Sequence, residues 1–270
     1  MATKPITFSD LSGEMGADTV KFGLGADTWE IDLTDGEKED LEQALTPFIE
    51  KALAMLGVKQ VRSPLLEADD LAGFYTRMFT QRGMQVTMVS GDRDWISLVD
   101  ENVSWFDPIR DRWVTTENFL EFTGYFTADA FVQGKALQGD NSDNVAGIAG
   151  LGEKTAQLFL AQWKDVREFF RQVDEGTYTP KKRASKTATS LHPEQILASP
   201  EGRAIFERNV KLMDLRLSRT PAPGEVIVTP GCKNPDGFIR LCERLAFMSI
   251  LRERHAFLRE FGIEFAPEVA

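Results

Sequence analysis

Leu66-Glu67-Ala68-Asp69-Asp70 and the run Val86-Thr-Met-Val-Ser-Gly-Asp92-Arg-Asp94-Trp95, whose Asp92 lies 22 residues past Asp70, decide how this chain is read. Five carboxylates fall within 28 residues, at a helix start and at the end of an apolar strand. Gly139-Asp140-Asn-Ser-Asp143-Asn144 adds two more, directly before Gly147-Ile-Ala-Gly150-Leu-Gly152. Asp and Glu oxygens gathered without histidine or thiolate select hard cations, so Mg²⁺ or Mn²⁺ is the expected metal. Two such ions about 4 Å apart activate a water and stabilise the leaving oxygen during phosphodiester cleavage. Taken singly, each group has a plainer reading: a capped surface helix, a strand-ending turn, a solvated Asx-type turn. All three in this order are hard to attribute to chance. The glycines let a backbone approach a phosphate closely, and free N–H groups at the start of the helix containing Lys154 and Thr155 point at it. A plain helix-connecting turn is the alternative there.

Outward from these motifs, the pattern alternates strand and helix. Gln60-Val-Arg62 is a short strand, Leu71, Phe74, Tyr75, Met78 and Phe79 form a helical stripe, and 85–90 is a buried strand. Val103–Phe106 is a further strand, a turn spans 107–112, and Arg112–Thr115 returns. The alternation predicts an α/β fold with a mainly parallel sheet, whose chemistry gathers at the C-terminal strand edge where Asp92 and Asp94 fall. Beyond it, helices are expected at roughly 117–122, 127–138, 153–173, 194–214 and 236–261. The polar stretch 176–190, with Lys181, Lys182, Arg183 and Lys186, reads as a solvated loop, with phosphate contact as the alternative. Trp95, Trp105 and Trp113 read as packing residues.

With 270 residues and 42% apolar content, the chain suffices for one large domain or two smaller ones. Two cysteines, Cys232 and Cys242, lack zinc-site spacing, and no apolar run is long enough for a membrane span, so a soluble, cytoplasmic protein with no membrane partner is expected. The net charge of −11 is unevenly spread. Residues 1–50 hold 3 Lys/Arg against 12 Asp/Glu, 51–150 hold 9 against 14, and 151–270 hold 19 against 16. Once the seven motif carboxylates are neutralised by cations, residues 51–270 are net basic, as a DNA binder requires.

Residues 1–55 form a unit of their own: strand-like Ile6–Phe8, Thr19–Phe22 and Thr28–Leu33, a turn at Gly25-Ala26-Asp27, then a helix capped by Thr34 or Asp35 and carrying Leu41, Leu45, Phe48, Ile49 and Leu53. Gly16-Ala-Asp-Thr-Val-Lys-Phe-Gly-Leu and Trp29-Glu-Ile-Asp-Leu resemble the N-terminal dimerisation domain of actinobacterial xenogeneic-silencing nucleoid proteins. That resemblance implies self-association as a homodimer, or capture of a host silencer, in a nucleoid-associated setting. The alternative is a hairpin and helix packed on the main domain.

From residue 56 to 175, and more loosely 195–262, the chain resembles the bacterial and phage 5′ nuclease family, the 5′-3′ exonucleases and flap endonucleases of primer removal. Glu67-Ala-Asp-Asp70, Ser90–Trp95, Gly139–Asn144 and the glycine-rich segment 147–156 carry the match. The resemblance implies a parallel-sheet core with a helical helix-three-turn-helix region and DNA with a 5′ end, flap or branch as partner. It assigns Glu67, Asp69, Asp70, Asp92, Asp94, Asp140 and Asp143 as catalytic metal ligands for two ions. Gly147, Gly150, Gly152, Lys154 and Thr155 become DNA contacts, beside a possible K⁺ site. The family's early aspartate strand, second acidic motif and basic arch are missing, so Asp32 is not assigned to the metal. The expected division is 1–55 for oligomerisation, 56–145 for a truncated nuclease core and 146–270 for helical DNA binding. An active nuclease is expected. The alternatives are half of a two-chain nuclease and a non-enzymatic DNA binder that oligomerises or engages a host silencer.

Overall fold

A computed structural model describes residues 7–24, 27–141, 143–182 and 191–264. Ile6, the Gly25-Ala26 part of the first turn, Ser142, Arg183 and Lys186 lie outside the described residues. The chain forms two compact units, one from residues 1–63 together with 226–270, the other from 64–225. This partition differs from the three consecutive segments read in the sequence, because the C-terminal helices join the N-terminal segment rather than the helices that precede them.

In the first unit, β1 (Asp18–Leu24) and β2 (Asp27–Leu33) pair antiparallel, with Asp18 opposite Leu33. Helix α1 (Asp35–Met55) starts where Thr34 accepts from the Glu37 amide and the Glu37 side chain accepts from the Thr34 amide, a reciprocal capping box. None of α1 is buried, and Leu45, Phe48 and Ile49 are exposed along it. Strand β3 (Gln60–Arg62) pairs antiparallel with Ile227–Thr229, so it is not a member of the sheet that its place in the sequence suggested. Leu56 packs with Phe238, Cys242, Leu258 and Ile263 into this unit's small core.

The second unit holds α2 (Ala68–Thr80), β4 (Val86–Val89), a 3₁₀ turn at Asp94–Leu98, β5 (Val103–Asp107), β6 (Arg112–Val114), α3 (Phe119–Thr123), α4 (Ala128–Gln138) and α5 (Glu153–Trp163). Its three-stranded sheet has the order β4-β5-β6. The β4–β5 pair is parallel, with Val86 opposite Val103, and β5–β6 is antiparallel, with Trp105 opposite Val114. Only one pair is therefore parallel: a short turn can return the chain antiparallel but cannot make the crossover a parallel neighbour needs. Strand β4 is an edge, and Val89 on it is 58% exposed. The core runs through Ile96, Trp105, Val114, Phe131, Leu137, Phe159, Phe169 and Phe206.

Three helices expected as continuous are interrupted. The 153–173 run breaks at Lys164, whose φ is +65°, and restarts where Asp165 caps Val166–Asp174. The 194–214 run is two helices, the second beginning at Pro200 with Ser199 as its cap. The last run breaks around Ala246, at φ +54°. Among the described residues no helix is long and apolar enough to cross a membrane.

Candidate metal centre and phosphate-binding turn

The first turn of α2 presents Asp69 and Asp70, both half-buried, with Glu67 exposed at the cap position. The Asp70 carboxylate accepts from the Glu67 amide at 3.4 Å, which spends part of its capacity on the helix end. At the end of β4 the backbone turns tightly: the Asp92 amide donates to Ser90 Oγ at 3.0 Å and the Asp94 amide to Asp92 Oδ1 at 2.8 Å. The Asp92 carbonyl accepts from Trp105 Nε1 at 2.8 Å, and Trp105 is wholly buried, so the turn is tied to the core.

The two motifs meet through Trp95, whose Nε1 donates to Asp69 Oδ1 at 2.8 Å. Burial raises the Asp69 pKa, the Trp95 hydrogen bond opposes that shift, and the negative charges of Asp92, Asp94 and Asp70 add to it. These four carboxylates thus share one electrostatic neighbourhood. Lys135, in the last turn of α4, pairs with Asp94 and stands 3.8 Å from Asp140 Oδ2, which brings the third motif to the same place. Glu67, Asp92 and Asp143 are exposed, Asp69, Asp70, Asp94 and Asp140 half-buried. All-oxygen donors suit a hard divalent ion. Among the described residues, however, no three acidic, histidine or cysteine side chains stand close enough to hold one ion together, and Lys135 supplies the positive charge at Asp94 and Asp140.

Lys135 was not legible as a site residue: a single lysine near the end of a largely buried helix carries no pattern. Trp95, expected as a packing residue, is half-buried, and its indole N–H also holds Asp69. Trp105 is core as expected, while Trp113 is 47% exposed and stacks on Phe106 with ring centroids 4.5 Å apart.

The glycine turn is anchored by Ile148 and Leu151, both buried. Its three glycines have different reasons. A Cβ on Gly147 would lie 2.1 Å from the Gln138 carbonyl oxygen, Gly150 has a φ of +87°, and Gly152 caps α5 in open space. Lys154 is exposed at the start of α5, whereas the Thr155 hydroxyl donates to the Gly152 carbonyl at 2.8 Å and so serves the turn itself. In the basic stretch, Lys181 is held by Glu194 at 3.1 Å.

The model of the 5′-3′ exonuclease N-terminal resolvase-like domain matches residues 36–124, and that of the 5′-3′ exonuclease C-terminal SAM fold matches 126–205. Residues 36–205 belong to the 5′-3′ exonuclease family. The thermostable DNA polymerase I of Thermus filiformis is 30% identical to this chain over 218 residues, covering 80% of this chain and 24% of the polymerase. The 5′-3′ exonuclease of Mycoplasma pneumoniae is 34% identical over 133 residues, 48% of this chain and 46% of that one. The chain therefore spans about a quarter of the polymerase and under half of the free-standing exonuclease. A structure of the T5 D15 protein co-crystallised with metal ions shares the fold, with a TM-score of 0.54, 22% identity, and coverage of 68% of this chain and 64% of that one. A third family model, the Lsr2 dimerization domain, matches residues 1–54. It overlaps the exonuclease match over most of α1, so the two resemblances join within one helix.

Proposed function

We propose that this protein is a divalent-metal-dependent 5′-3′ exonuclease or flap endonuclease that hydrolyses DNA phosphodiester bonds at 5′ ends, flaps or branches. The observation that carries this reading is the Trp95–Asp69 hydrogen bond, which holds the two main acidic motifs together at the end of β4. The site residues are Glu67, Asp69, Asp70, Asp92, Asp94, Asp140 and Asp143, of which Glu67, Asp92 and Asp143 are exposed. Two Mg²⁺ or Mn²⁺ ions held there would supply water activation and stabilisation of the leaving oxygen. T5 5′-exonuclease binds divalent zinc, and a T5 flap endonuclease forms a complex with DNA and metal ions, which supports both the ion class and the partner. The chain's own part is orientation: Trp95 fixes Asp69, and Trp105 with Ser90 fixes the backbone that presents Asp92 and Asp94. The Gly147–Gly152 turn and Lys154 would take the DNA backbone, and the same segment would hold K⁺.

The test is cleavage of an end-labelled 5′-flap duplex with Mg²⁺ or Mn²⁺, with EDTA, and with Asp92→Ala/Asp94→Ala. Metal-dependent cleavage lost in the double variant supports the reading. Binding without cleavage favours a second one, half of a two-chain nuclease, for which the unpaired edge of β4 and the exposed Val89 speak. A DNA-binding protein without catalysis is the remaining alternative. Residues 1–54 serve as a homodimerisation unit or as the contact to a host silencer, in a cytoplasmic, nucleoid-associated setting. Their match to the Lsr2 dimerization domain supports that role.

A further inference from the structure

The second unit contains a cavity of about 580 Å³ that none of the seven site carboxylates lines. It is built from the far ends of the helices that carry the metal centre. Thr76 and Arg77 border it from α2, seven residues and about 10 Å of helix beyond Asp70. Thr127 and Ala128 border it from the first turn of α4, whereas Lys135 occupies the last. Leu98, Val99, Phe119 and Phe126 give it apolar and aromatic walls. Its volume and its balance of apolar wall with a few polar groups are those of a small-molecule site.

Two observations define the ligand. Ser97 lines the cavity, is 2% exposed, and its Oγ has no hydrogen-bond partner among the described residues. A buried hydroxyl left unpaired is costly, and a ligand acceptor would satisfy it. Arg77, in the same wall, gives two N–H groups to the carbonyls of Arg216 and Ser218 at 2.9 and 2.7 Å, yet no carboxylate stands within ion-pair distance of it among the described residues. The neighbouring Arg216 is by contrast matched by Asp214 and Asp129. On its polar side the cavity offers the Arg77 guanidinium and the Ser97 hydroxyl; of the two carboxylates that also line it, Asp129 is paired with Arg216 and Asp100 stands exposed, and Leu98, Val99, Phe119 and Phe126 form the apolar side.

We propose that this cavity binds a mononucleotide, its phosphate toward Arg77 and the Ser97 hydroxyl and its base against Leu98, Phe119 and Phe126. The proposal rests on the nuclease reading only for the choice of nucleotide: the product of the metal centre occupies a second site at the opposite end of α2 and α4. Calorimetric titration of the full chain with dAMP, with inorganic phosphate and with deoxyadenosine, all in EDTA, tests it without any catalysis. Saturable dAMP binding is expected, equal in the wild type and in Asp92→Ala/Asp94→Ala, and weakened roughly tenfold by loss of the Ser97 hydroxyl in Ser97→Ala. Thr116→Trp, at an exposed position on the cavity lining, is expected to block it. Phosphate and deoxyadenosine are each expected to bind more weakly than dAMP. No saturable binding of dAMP at millimolar concentration overturns the proposal. So does binding that is indifferent to both Ser97→Ala and Thr116→Trp, or that disappears in Asp92→Ala/Asp94→Ala. The flap-cleavage assay reads the metal centre separately, so either idea can fail while the other stands.

Discussion

Trp95 Nε1 donates to Asp69 Oδ1 at 2.8 Å across 26 residues of chain, so an indole is in direct contact with a carboxylate of the proposed metal site. Mn²⁺ binding at Asp69 is therefore expected to quench part of the tryptophan fluorescence. Trp95→Phe should remove that part while leaving the protein folded, and Asp69→Asn should lose it along with the affinity. Quenching unchanged in Trp95→Phe would place the ion elsewhere.

Lys135 competes with any cation for Asp94 and Asp140. Lys135→Met should raise Mn²⁺ affinity several-fold by calorimetry, since removing a fixed charge beside two carboxylates favours a mobile one. It should lower cleavage if the lysine also steadies the bound strand. Reduced metal affinity in Lys135→Met would mean that the lysine organises the carboxylates instead of rivalling the metal.

Asp107, at the end of β5, is buried with Arg110 and Arg112 at 3.1 and 3.0 Å. Burial alone would raise its pKa, but hydrogen bonds from Arg112, Arg110 and the amides of Arg110 and Ile109 outweigh it and hold the group at about 2, below the ordinary 3.8. The folded-state pKa is depressed, so the stabilisation is fully present above pH 3.8 and is lost as pH falls toward about 2. Asp107→Asn should flatten that acid limb in urea unfolding measured as a function of pH, and should lower stability at neutral pH.

Gly147 and Gly152 should respond differently to alanine. Gly147→Ala drives a Cβ into the Gln138 backbone and is expected to cost about 1–3 kcal/mol in urea unfolding. Gly152→Ala meets nothing and should cost at most about 1 kcal/mol, from the weaker helix cap. A large loss of DNA affinity in Gly152→Ala with little change in stability would mark its backbone as a phosphate contact.

Helix α1 exposes Leu45, Phe48 and Ile49 and buries none of its residues. Phe48→Glu/Ile49→Glu should turn a dimer into a monomer in sedimentation at tens of micromolar. A wild-type monomer there removes self-association and leaves the host-silencer contact.

The grouping of acids was legible because each motif carries its own local signal: a helix start, a strand end and a glycine-rich turn. In the fold Trp95 ties Asp69 to the strand-end motif, and Lys135 links Asp94 with Asp140. What escaped was information held by single residues or by distant pairing. Lys164 and Ala246 break helices at positive φ although neither is a glycine, so composition gives no warning. The partner of β3 lies more than 160 residues away, and a three-residue strand cannot announce it. Glu67, Asp92 and Asp143 face solvent while Asp69, Asp70, Asp94 and Asp140 are half-buried, a difference that no motif states.

The first unit is assembled from both ends of the chain, with β3 joined to Ile227–Thr229 and Leu56 to Phe238 and Leu258. On the ribosome, residues 64–225 are all made before those partners exist. The segment carrying the acidic motifs can thus collapse on its own contacts while α1, with no buried side chain, waits for its core. Any self-association through α1 that precedes synthesis of residues 226–264 would occur between nascent chains whose first unit is still incomplete. The timing of translation, as well as affinity, then governs which copies pair.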